Sequence, residues 1–93
     1  MLALTETAKA AIVGITAEAG LPRTGGVRIA LAEESDRIEL SLVLKPEAGD
    51  DVIDAEGARV FVEEAASPLL AEHVLDAEES RVGIGFALLA QED

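Results

Sequence analysis

Apolar residues recur first with a helical spacing and then at every second position. Ala8, Ala11, Ile12, Ile15 and Ala19 share one face of a helix, with Glu6, Lys9 and Glu18 nearer the other. Thr5 is placed to cap it, Glu6 suits its positive end, and Gly20 and Pro22 mark its stop. Beyond a Thr24-Gly25-Gly26 turn, Val27, Ile29 and Leu31 alternate with Arg28 and Ala30 as in a half-buried strand. Ile38, Leu40, Leu42 and Leu44 repeat that period, and the two runs predict a hairpin joined by a short polar loop.

The later segments are shorter. Lys45 to Asp51 reads as a turn, and Val52-Ile53 as the start of a strand. Gly57 supplies a residue able to take positive φ before a strand over 59–62. Pro68 limits any helix in 63–72, and Ser67 is placed to cap a single turn there. Val74-Leu75 reads as a short strand and Glu78-Glu79-Ser80 as a turn. In the last strand Val82, Ile84, Phe86 and Leu88 share a face, and Gly83 and Gly85 mark the opposite face as tightly covered or bent. The pattern predicts a mainly β, α+β domain over 1–93, an antiparallel sheet or small barrel with one packed helix. Leu40 and Leu42 are expected to be buried with Val60, Val62 and Phe86.

Composition narrows the chemistry. The chain has 93 residues, 19 acidic and 7 basic, for a formal charge of −12. A phosphate backbone or an anionic membrane would be repelled, so cations or basic protein patches are the expected partners. The apolar residues are aliphatic apart from Phe61 and Phe86, a thin core to which a homodimer interface would add burial. Met1 to Leu4 has no signal-peptide character, and no apolar run approaches the roughly 20 residues that span a bilayer, so a cytoplasmic protein is expected.

There is no cysteine, which removes thiolate nucleophiles, disulfides and Cys-ligated metal. The single histidine, His73, has no nucleophile-elbow partner, and no phosphate loop opens a helix. The acidic groups Glu33/Glu34/Asp36, Asp50/Asp51/Asp54 and Glu78/Glu79 fall in predicted turns and read as solvated. An enzyme is not expected, and no residue is assigned to catalysis, a cofactor or a metal.

The order of segments resembles the HesB/IscA-like family of A-type iron–sulfur carriers. Leu4-Thr5-Glu6-Thr7-Ala8 is similar to the family's Leu-Thr-x-x-Ala helix start, and Val27 to Leu31 to its next strand. The most specific block runs from Ile38 to Glu63, with Gly57-x-x-Val60-x-Val62-Glu63 at its end; Leu70, Asp76 and Gly85-Phe86 extend the likeness over residues 2–90. The resemblance implies a compact HesB-like β-barrel or sandwich with a packed N-terminal helix and a short second helical turn. Family members hold iron or a cluster through cysteines, one in the loop that corresponds here to Ala32–Arg37, and two in a Cys-x-Cys of a C-terminal extension that is expected to be absent. The implied function is iron–sulfur cluster biosynthesis by a carrier-like protein without ligating cysteines, acting by docking a partner of that assembly. Glu33, Glu34, Ser35, Asp36 and Arg37 form the candidate contact loop. Any metal contact would need Glu33, Glu34, Asp36 or a partner's thiolates. The alternative is an interaction module on the same scaffold with no role in iron–sulfur assembly.

Overall fold

The computed structural model describes residues 2–31, 38–81 and 83–90. Its entry point is Thr5. β1 (Ala3–Leu4) runs parallel to β6 (His73–Ser80), and the Thr5 N–H donates to the Leu75 carbonyl at 3.0 Å. α1 (Glu6–Glu18) then begins, with Thr5 Oγ1 accepting from the Ala8 N–H at 3.1 Å. The same hydroxyl donates to Asp76 Oδ1 at 2.7 Å, so the helix cap is tied to β6. At the other end Gly20 takes φ +69°; its N–H reaches the Ala17 carbonyl and the Leu21 N–H reaches that of Thr16, each at 3.1 Å. This paired closure needs a residue tolerant of the left-handed region, hence glycine.

β2 (Gly26–Leu31) pairs antiparallel with β3 (Ile38–Val43) and parallel with β5 (Ala58–Val62), which pairs antiparallel with β4 (Asp51–Ala55). The strand order is β3-β2-β5-β4. Glu56 (φ 55°) and Gly57 (φ 94°) join β4 to β5 with the two positive φ values of a twist-matched hairpin turn. The second sheet is β1-β6-β7, with β7 (Gly83–Ala90) antiparallel to β6. The architecture is mainly β, as expected, but its sheets are open and do not close into a barrel.

α1 packs on β6, β5 and β2. Ala8, Ala11 and Ile12 meet Val27, Ile29, Val60, Val62 and Leu75, all buried. Phe61 is fully buried on the opposite face of β5. Its cross-strand neighbour there is Arg28, and the Arg59 guanidinium lies 5.6 Å from its ring centroid.

Four expectations are corrected. Leu40 and Leu42 are 42% and 44% exposed. They stand opposite Ile29 and Val27, so they face the core side, but β3 is the outer strand and α1 packs chiefly on β6, β5 and β2. The turn expected at 78–80 is strand: Leu75 and Ala77 are buried while Glu78 is exposed, and β6 continues to Ser80, which pairs with Gly83. Ser67 is not a cap but the first residue of α2 (Ser67–Leu70); Ala66 precedes it, and its hydroxyl donates to the Asp51 carboxylate. Nor is the glycine face of β7 tightly covered, because a Cβ at Gly83 or Gly85 would meet nothing within 4 Å.

Candidate functional site

The contact loop Glu33, Glu34, Ser35, Asp36 and Arg37 lies outside the described residues.

The acids of the 50–54 cluster are divided among separate partners. Asp50 is the exception to the solvated reading, its side chain only 1% exposed. Arg28, pointing off the outer face of β2, grips it with two bonds, Nε to Oδ2 at 2.9 Å and Nη2 to Oδ1 at 3.0 Å. The Glu47 N–H adds a third at 2.9 Å. The Arg28 bonds hold the Asp50 carboxyl below the usual carboxylate range, burial opposing them and the Glu47 N–H assisting. The Arg28 guanidinium is pushed up by the same hydrogen bonds. Glu47 Oε2 at 3.2 Å and Glu63 Oε2 at 3.7 Å complete the group around Arg28. Asp51 accepts from Ser67, and Asp54 from Arg59 at 3.2 Å. These carboxylates are engaged in holding loops and strands, and none is poised as a shared base or a cation cradle. Arg28 and Asp50 are 22 residues apart, so no local spacing in the sequence could have announced them.

His73 opens β6, half-buried, with a buried Nδ1 that has no hydrogen-bond partner. Among the described residues no group of three or more His, Cys, Asp or Glu is arranged to hold a metal ion. Nor is any helix there long and apolar enough to cross a membrane.

The remaining feature is apolar. β3 and β7, edge strands of different sheets, flank a seam in which Leu40 and Leu42 meet Ile15, Val27 and Phe86. Leu40 also shares a second cleft with Ile29, Leu75, Phe86 and Leu88. Their volumes, ≈ 150 and ≈ 130 Å³, fall below the roughly 300 Å³ at which small-molecule pockets begin. They suit one or two protruding side chains.

No family model matches the chain. A curated relative does: an uncharacterised protein of the nifU 5′ region of Azotobacter vinelandii is 33% identical over 93 residues, covering 96% of this chain and 85% of that protein. The fold matches SufA of Escherichia coli, described as involved in biosynthesis of iron–sulfur clusters, at a TM-score of 0.80 and 25% identity, over 96% of this chain and 84% of SufA. This chain belongs to the HesB/IscA-like family of A-type iron–sulfur carriers. A structure of IscA with its [2Fe-2S] cluster shares the fold of this HesB/IscA-like chain at a TM-score of 0.70 and 23% identity, over 97% of this chain and 85% of IscA. The family member described here carries no cysteine in its 93 residues.

Proposed function

We propose that this HesB/IscA-like protein serves iron–sulfur cluster biosynthesis by docking another assembly protein, without ligating a cluster through its own side chains. The observation that carries the reading is a carrier fold matched over 96% of the chain in a sequence without cysteine. The segment Glu33-Glu34-Ser35-Asp36-Arg37 is the proposed contact. The partner is a protein with a basic patch, drawn to a chain of net charge −12. A non-enzymatic role follows from the same reading.

Anaerobic incubation with iron and sulfide, then desalting, metal analysis and a visible spectrum, is the test. The expected result is no retained iron and no charge-transfer bands. A cysteine-bearing A-type carrier and a scaffold protein of the pathway are then titrated with the chain. Binding that weakens with salt, and weakens further when Glu33, Glu34 and Asp36 are changed to Gln, Gln and Asn, supports docking. Stoichiometric iron in the chain alone overturns the first half. Failure to bind any assembly protein overturns the second and leaves an interaction module outside this chemistry.

A further inference from the structure

The apolar layer of the fold runs out at β3. α1 packs chiefly on β6, β5 and β2. Leu40 and Leu42 are left exposed on the outer strand, and Leu44, just past its end, is 64% exposed. Among the described residues no other three large exposed apolar side chains follow one another at alternate positions. A contiguous exposed apolar patch of this kind marks an interaction site. The patch is grooved. The two clefts of the seam share Leu40 and Phe86 as a common wall. Val27 lines one and Ile29 the other, two residues apart on β2, which sets the clefts about 7 Å apart.

We propose that this groove receives a basic amphipathic helix of a partner protein, with two aliphatic side chains at i and i+4 entering the clefts. The inference deepens the docking reading and rests on it for the identity of the partner. Side chains at i and i+4 stand about 6 Å apart along a helix axis, which matches the spacing of the clefts. Each cleft, at ≈ 150 and ≈ 130 Å³, has the size of a side chain and not of a segment of main chain, which disfavours an inserted strand. Ile15 of α1 lines one of them. A helix laid there lies beside α1 and carries the helical layer across β3, as neighbouring helices do at 8–10 Å between axes.

Charge selects the occupant. Ile15 lies one turn before Glu18, on the same side of α1 and near the negative end of its dipole. The last turn of α1 holds no basic residue to offset that end. A helix carrying Lys or Arg beside its apolar stripe meets this negative end and a chain of net charge −12. A second copy brings the same negative end and the same −12, and is repelled. Binding of a basic helix therefore weakens as salt rises, whereas self-association through the groove would strengthen.

Titration of the isotope-labelled full chain, followed by nuclear magnetic resonance, tests this. The probe is a synthetic peptide of about 18 residues, made of Ala and Lys with two Leu at i and i+4. Its control has the same composition with the two Leu at i and i+2, which do not share a face. The first peptide is expected to move the amide signals of Ile15, Leu40, Leu42 and Phe86, and the control to bind at least about tenfold more weakly. Leu40→Ser with Leu42→Ser is expected to weaken the first peptide at least about tenfold. Val52→Ser, at a 43% exposed apolar position on β4, is expected to leave it unchanged. Glu18→Gln is expected to weaken it about two- to fivefold at low salt. Shifts centred on the acids around Arg28, equal binding of the two peptides, or binding that survives the double substitution would overturn the proposal. A dimer abolished by the double substitution would overturn it in favour of a second copy. An assembly protein that binds the unmodified and doubly substituted chains equally would remove the groove and leave the docking reading standing. Peptide bound in the groove with no assembly protein binding at all would keep the groove and remove that reading.

Discussion

Asp50 accepts three hydrogen bonds, two from Arg28 and one from the Glu47 N–H. Deleting one member of a buried pair strands the other, at a cost of about 3 kcal/mol. Asp50→Ala is therefore expected to lower unfolding stability by about that amount in urea titration. The pH dependence has a definite sign. The folded carboxyl is depressed, so its contribution is fully present above the unfolded value of about 3.9 and is lost as pH falls through the folded one. In the Asp50→Asn variant the acid limb of the stability curve should flatten below about pH 4. Nothing in the local sequence signals this pair: an acidic turn reads as solvated, and only the sheet brings Arg28 to it.

At the level of elements, α1 and the β4–β5 turn were legible because their determinants are local. Thr5, Gly20 and Gly57 each do what their residue type and position suggest. Thr5→Ala removes both the cap of α1 and the bond to Asp76, and should cost about 1–2 kcal/mol. The β4–β5 turn leaves room for improvement, since Glu56 holds φ 55° without being glycine or asparagine. Glu56→Asn should raise the thermal midpoint, through about 0.5 kcal/mol. β3 shows where local reading stops. Its alternation gives the side on which Leu40 and Leu42 lie, but not whether a second layer covers that side. Coverage depends on where α1 packs, a long-range outcome. Leu42→Ala should accordingly cost less than about 1 kcal/mol and Ile29→Ala, fully buried beside it, about 3 kcal/mol. For β6 the alternation of Leu75 and Ala77 with Glu78 outweighed a polar run that resembles a turn.

For the whole molecule, the order of segments carried the family, because the spacing of helix, hairpin and strands survives even where identity with SufA is 25%. The contact loop 33–37 rests on that order alone. The scaffold holds its shape through an apolar core of Phe61, Ile12, Ile29, Leu75 and Val60. Its thermal transition is expected to stay put when a chelator is added. A chelator-induced drop in the midpoint would reveal a structural metal that the residue inventory does not predict.

The Thr5–Asp76 bond spans 71 positions, and β1 lies beside β6, which is made much later. Chains are synthesised from the N-terminus at about 5–20 residues per second. α1 must therefore wait for β6 before the packing of its apolar face is complete. During that interval Ala8, Ala11 and Ile12 are exposed on a nascent chain, and closure of so long a loop is intrinsically slow. The N-terminal segment acts as a late-fastening clasp, and it is the emerging polypeptide, more than the finished protein, that would call on a chaperone.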